Sequence, residues 1–190
     1  MERNKALVCL IAIFILLSGC VTFTSPEGPV KIRKDVKLND YQGVYLNKGN
    51  PEKYLSQHFI RKNIKNFDGK SLHWTDIEFV ELKVENETLT FSAIYEDCII
   101  FSEEYKPGKH FEIKDSKIVI DDDIDLLHEA LLGVTTSKQT MELDENGNLI
   151  IYSRYSVIGT VLVIPVVGGG IEKIRFLRDM PKEVYEPCVK

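Results

Sequence analysis

The chain has 190 residues, 24 Lys and Arg against 29 Asp and Glu, a formal net charge of −5, and 44% hydrophobic residues. That length suits one domain with a substantial core. An acidic chain with no basic stripe interleaved with aromatics excludes nucleic-acid binding, which needs Lys and Arg to neutralise phosphates.

The first five residues, Met1 to Lys5, carry two positive charges, and Ala6 to Leu17 form a twelve-residue apolar run. As a helix that run covers roughly 18 Å, short of the roughly 30 Å hydrocarbon core of a bilayer, so residues 1–19 are expected to be a cleavable export signal. The run ends in Leu17-Ser18-Gly19-Cys20, which resembles the lipobox of bacterial lipoproteins. The resemblance implies a diacylglyceryl group on the Cys20 thiol, cleavage between Gly19 and Cys20, and a further acyl chain on the freed amine. Two or more chains hold a protein stably on a membrane, where one is marginal. Val21 stands where an Asp would resemble the inner-membrane retention signal of enteric bacteria, so the expected destination is the outer membrane. Removing residues 1–19 takes Glu2, Arg3 and Lys5 and leaves 22 basic against 28 acidic residues, a net charge of −6.

Of the four cysteines, Cys9 leaves with the signal and Cys20 is modified. In an oxidising envelope Cys98 and Cys188 can pair. Alternatively Cys98, beside Ile99-Ile100-Phe101, is a buried apolar thiol and Cys188 a tail residue. No CxxC or CxxH spacing suggests zinc.

Residues 20–40 contain Pro26, Gly28 and Pro29, then Lys31, Arg33, Lys34 and Lys37, and are expected to be a lipidated tether. Its cations either lie against anionic headgroups or remain solvated. A β-domain over 41–180 and a tail over 181–190 follow. Apolar spacing of two predicts strands at 41–46, 76–85, 88–95, 98–105, 110–114, 117–121, 138–143, 148–155, 157–167 and 172–178. Turns are expected at Asn86-Glu87, Pro107-Gly108, Asp115-Ser116, Asp144 to Gly147 and Gly168 to Gly170, joining the strands as hairpins. From Pro51, the spacing of Leu55, Phe59 or Ile60, Ile64 and Phe67 predicts an amphipathic helix after the first strand, and a shorter helical turn is expected over 125–132. The fold class is mainly β: an antiparallel meander of about eight to ten strands closing into a small barrel or a sandwich.

Gly43-Val44-Tyr45 on the first strand and Ile174-Arg175-Phe176-Leu177-Arg178 on the last resemble the lipocalins, in which a Gly-x-Trp on strand one is capped by an arginine from the final strand. Tyr45 replaces the Trp, and the family's middle Thr-Asp-Tyr motif has no counterpart. The resemblance implies a lipocalin-like barrel in which Tyr45 meets Arg175 or Arg178 as a structural contact.

Residues 157–170 contain no charged side chain. Two readings follow: a strand pair buried on both sides, or an apolar contact with lipid or a partner through Val161, Val163 and Pro165. Pro165 favours an edge, bulge or loop, and the glycines lack the Lys and Ser or Thr of a phosphate loop. Asp121 to Asp125 lack EF-hand spacing and read as a solvated turn. His58, His73, His110 and His128 are scattered, and Ser102, Ser137, Ser153 and Ser156 lack a nucleophile-elbow context. Asn86-Glu87-Thr88 matches a glycosylation acceptor, incidental behind a bacterial lipobox, and Trp74 is expected to pack rather than bind. The expected function is non-catalytic, with no cofactor or metal: a lipid-anchored module binding a small apolar ligand or an envelope protein, or an assembly protein using the 157–170 segment.

Overall fold

A computed structural model describes residues 18–59, 64–65, 69–121, 125–127, 131–161, 164–179 and 185–187, with side chains left aside at 18–21, 121, 125–127, 131–135, 159–161 and 164–166. The chain is mainly β. Among the described residues the strands are β1 (Ser18–Thr24), β2 (Gly43–Leu46), β3 (Phe79–Glu85), β4 (Thr88–Tyr95), β5 (Cys98–Tyr105), β6 (Glu112–Lys114), β7 (Lys117–Asp121), β8 (Asp125–Leu127), β9 (Leu131–Leu143), β10 (Leu149–Val161), β11 (Ile164–Phe176), β12 (Arg178–Asp179) and β13 (Glu186–Pro187), and a short α-helix, α1, spans Leu55–Phe59.

The strands form two sheets, one ordered β1-β11-β10-β9-β7-β6 with β8 on β9, the other ordered β12-β2-β3-β4-β5-β13. Neither described path returns on itself, which overturns the closed-barrel alternative. Closure would have removed the sheet edges; the six-stranded sheet ends instead in β12 and β13, edge strands of two residues each. The meander expectation holds for β2 to β5, but β13 pairs parallel with β5.

The chain divides into two compact units. The larger takes Thr24–Ile120, Thr140–Tyr152 and Lys173–Lys190; the smaller takes Met1–Phe23, Asp121–Gln139 and Ser153–Glu172. The long strands β9, β10 and β11 contribute residues to both.

In the larger unit, alternation places Val80 and Leu82 of β3 and Leu89, Phe91 and Ala93 of β4 in one core with Ile118, Met141, Leu143, Leu149, Ile151, Ile174 and Phe176 of the other sheet. Helix α1 is docked through Phe59, stacked on Phe91 at 4.1 Å between centroids, and its backbone carbonyl accepts a 2.8 Å hydrogen bond from the Tyr105 hydroxyl. Asn47, fully buried after β2, organises the entry to this helix. Its backbone carbonyl accepts from Leu55 N, its Oδ1 accepts from Ser56 N, and its Nδ2 donates to the carbonyls of Trp74 and Ile77. Orphan amides at the start of α1 are thereby satisfied from outside the helix.

The two-residue hairpin turns carry left-handed backbone at both positions: Asn86 and Glu87 (φ 49° and 63°), Glu96 and Asp97 (48° and 61°), Asp115 and Ser116 (51° and 61°). These are the type I′ turns whose twist matches flanking strands. The β9–β10 turn is held by the Asp144 carboxylate, which accepts from Asn146 N, Asn148 N and Asn148 Nδ2. Within 20–40, Arg33 N donates to Leu143 O, Glu145 N donates to Lys31 O, and Val36 is buried.

Four local expectations are corrected. Helix α1 starts at Leu55, because Pro51 lies in a turn closed by Gly49 N donating to Lys53 O and by the Lys48–Tyr54 bridge. Leu55, Phe59 and Ile64 are buried as the spacing required, while residues 60–63 and 66–68, with Ile60 and Phe67, lie outside the described residues. The helical turn expected over 125–132 is replaced by β8 pairing with β9, with Leu126 opposite Val134; a short apolar run carries no period that separates helix from strand. The strands expected at 148–155 and 157–167 do not break at Ser156, through which β10 runs to Val161. Finally, Gly168 to Gly170 are not a turn but part of β11. A Cβ on Gly169 would lie 2.7 Å from the Tyr155 carbonyl oxygen, and one on Gly170 would lie 2.5 Å from the Tyr155 hydroxyl. Close approach of β10, not turn geometry, calls for glycine there.

Candidate functional site

Gly19 and Cys20 lie in β1, four and three residues before Phe23. Val161 ends β10 and Pro165 is the second residue of β11, the strand-start position that proline tolerates; Val163 lies outside the described residues. Cys98, the first residue of β5, is disulfide-bonded, which excludes the free buried thiol. Its expected partner Cys188 lies outside the described residues, and the residues just before it, Glu186 and Pro187, pair with Cys98 and Ile99.

The residues considered for chemistry do not converge. His73 Nδ1 accepts from Thr75 N at the short 3-10 turn Trp74–Asp76. His110 Nδ1 accepts from Lys106 N at 3.0 Å, with its ring edge-on to Tyr105. His58 stands edge-on to Phe176. Ser102 bonds Ser92 across β4 and β5 at 2.8 Å, Ser156 bonds Thr136 at 2.7 Å, and Ser153 is buried. His128 and residues 122–124 lie outside the described residues; among those described, no three metal-capable side chains gather. Trp74 packs against the core.

Of the two arginines considered for the Tyr45 ring, Arg178 is the one found there, with Cζ 5.9 Å from the centroid; its backbone is opposite Tyr45 in the β12–β2 pair. Arg178 Nη2 donates to Gln42 O, Nη1 donates to Asp40 O at 3.4 Å, and its Nε would lie 2.7 Å from a Cβ on Gly43. Gly43 thus leaves the space the guanidinium fills. The Tyr45 hydroxyl donates to Tyr41 O at 2.8 Å, and the Tyr41 hydroxyl donates to Met141 O at 3.0 Å. Burial raises the Tyr45 phenol from 10.0 to about 12, opposed by the nearby Arg178 charge. Burial also pushes Tyr41 up, helped by the Glu142 carboxylate. Arg175 does different work: its Nη2 donates to Pro29 O, and its Nε lies 3.7 Å from the Asp144 carboxylate.

The smaller unit carries a feature that sequence reasoning placed only in part. Gly169 lies against Ser156 and Gly170 against Tyr155. These consecutive neighbours run in opposite directions along the two strands, so β10 and β11 are antiparallel there, and two further steps set Ile158 opposite Val167. Both face away from Tyr155 and Gly170. The Thr22 hydroxyl bonds the Tyr155 hydroxyl at 3.0 Å, so alternation turns the next residue, Phe23, to the side of Ile158 and Val167. All three are open to solvent, Phe23 at 69%, Ile158 at 63% and Val167 at 57%. In the β9–β10 pair, the Thr136–Ser156 contact fixes a register that sets Lys138 opposite Arg154, both exposed on this same face. Along β10 the face thus passes from cations through hydroxyls to apolar side chains. Ile158 and Val167 sit inside the uncharged 157–170 run; Phe23 was missed, although its place three residues after Cys20 was a usable signal.

No family model, no curated protein and no solved structure matches the chain.

Proposed function

We propose that this chain is a bacterial lipoprotein of the cell envelope, exported by residues 1–19, cut before Cys20 and held on a membrane, the outer one, by acyl chains on that residue. The carrying observation is Leu17-Ser18-Gly19-Cys20 at the end of a twelve-residue apolar run too short to span. Among the described residues no helix is long and apolar enough to cross a membrane. The larger unit reads as a two-sheet sandwich, and the body as a non-catalytic assembly or contact module rather than a carrier. Supporting this, aromatic and aliphatic side chains of both sheets, including the fully buried Tyr45, Phe91 and Phe176, fill its interior, and its described histidines are engaged in turns and ring contacts.

The test is intact mass of the amino-terminal peptide from isolated membranes. Thioether-linked diacylglyceryl on Cys20 is expected, and Cys20→Ser should leave unprocessed, unlipidated precursor. Recovery of intact Met1 together with an unmodified Cys20 thiol refutes the reading. Native mass spectrometry of the protein released in mild detergent separates the module from the carrier: a stoichiometric apolar small molecule retained by the folded protein would restore the carrier.

A further inference from the structure

We infer that the face formed by Phe23, Ile158 and Val167 lies in the outer part of the same bilayer leaflet that receives the acyl chains of Cys20. This rests on the lipoprotein reading and adds to it a second, protein-made contact with lipid.

Three observations name lipid as the occupant. The first is position. Phe23 and Cys20 are on one strand, three residues and about 10 Å apart, so an acylated Cys20 brings this part of the sheet to the membrane surface. The long tether expected over 20–40 does not separate Phe23 from the anchor, because Phe23 comes only three residues after Cys20 and β1 is paired to β11. The second is exposure. Phe23, Ile158 and Val167 are three of the five large apolar side chains found open to solvent among the described residues, and they fall on one face of the adjoining strands β1, β11 and β10. The third is order along the strand. Arg154 and Lys138 stand about 13 Å from Ile158, with the Thr136–Ser156 hydroxyl pair between, and no charged residue occurs from 157 to 170. Cations at the level of anionic headgroups, hydroxyls at the interface and aliphatic groups below reproduce the polarity profile of one leaflet. A leaflet's hydrocarbon is about 15 Å deep, so this face is long enough to enter it and too short to cross the membrane.

The test uses the full-length lipidated protein reconstituted into vesicles of phosphatidylethanolamine and phosphatidylglycerol, with or without bromine on the acyl chains. Ile158→Trp and Val167→Trp are compared with Ile113→Trp, an exposed position on β6 in the larger unit, after subtracting the parent's Trp74 signal. Tryptophan at 158 and 167 should lose emission to brominated lipid and shift to shorter wavelength, while tryptophan at 113 should do neither. The amino-terminal mass of the same sample reports the anchor independently. Acylated Cys20 with both reporters unquenched overturns the leaflet contact and leaves the anchor standing; unmodified Cys20 overturns the anchor and this inference with it. Reporters shielded from both brominated lipid and aqueous acrylamide place a second copy of the chain on the face, and overturn the lipid assignment.

Discussion

Replacing Asn47 by alanine should be among the most damaging single changes in the larger unit, although it removes only one small side chain. Asn47 is fully buried, and its amide holds Ser56 N at 2.8 Å, Trp74 O at 2.8 Å and Ile77 O at 3.0 Å. Removing it leaves one donor and two acceptors buried without those partners. At roughly 1–1.5 kcal/mol for each, the expected loss is about 3–5 kcal/mol, a large share of the roughly 5–15 kcal/mol that keeps a domain folded. For a chain of this size that is about 10 °C in melting temperature. Asn47→Asp separates polarity from geometry. Its carboxylate still accepts from Ser56 N but turns a second anionic oxygen toward two carbonyls, which raises its folded-state pKa above the unfolded value of about 3.9. Stability tied to a raised pKa is fully present below the unfolded value and lost as pH rises through the folded one. The deficit of Asn47→Asp against the parent should therefore be large at pH 7 and shrink toward pH 4. Urea unfolding followed by circular dichroism measures both. A loss under about 1 kcal/mol for the alanine variant, or a pH-independent deficit for the aspartate, would refute the assignment of Asn47 as the fastening between β2, α1 and the 3-10 turn.

Tyr45→Phe should cost about 1 kcal/mol at neutral pH by stranding the Tyr41 carbonyl. Because the Tyr45 phenol is raised from 10.0 to about 12, its stabilising share is intact below pH 10 and lost as pH climbs through 12, so the parent's advantage should fade over that window; equal alkaline slopes in parent and variant contradict the burial argument. Glu87→Gly should stabilise by about 0.5 kcal/mol, since relief of left-handed strain slightly exceeds the chain entropy glycine adds. Denaturation midpoints check it, and a loss of stability would mean that the Glu87 side chain, not its backbone, sets the turn. Peptide mapping without reductant should recover Cys98 joined to Cys188, and reduction should raise amide exchange along β5 near Cys98, where β13 pairs; a cross-link to any other cysteine rejects the pairing.

Much of the larger unit was legible because a half-buried strand writes its orientation every second residue. The expected bounds of β4, β5 and β7 are those found, and Asn86-Glu87 and Asp115-Ser116 turn where two polar residues interrupt apolar alternation. The aromatic at 45 and an arginine at the chain's far end were legible as partners through the resemblance of Gly43-Val44-Tyr45 and the last strand to the lipocalins, which left Arg175 and Arg178 both open. What failed was local punctuation. Ser156 and the glycines at 168–170 were read as breaks because they weaken a strand in isolation. In the sheet, Ser156 finds Thr136 as a partner and the glycines admit the Tyr155 backbone and ring. Partners contributed by a neighbouring strand carry no mark in a window of one strand's residues.

The apolar face shows a limit of another kind. A run such as 157–170 reports only that its side chains avoid water, and a protein core and a lipid leaflet satisfy that condition alike. Cores are the commoner home of such runs, yet Ile158 and Val167 stand in the open on one face. Sequence near the run could have separated the cases. A strand buried on both sides ends at turns wherever they fall, whereas a strand entering a leaflet needs cations set back by about a headgroup's depth. Arg154 and, across the sheet, Lys138 occupy that position, and Phe23 ties the same face to Cys20, the proposed site of acylation. On the proposed reading, spacing between charge and anchor, rather than hydrophobicity, is the signal that would distinguish a lipid-facing strand from a core strand in this chain.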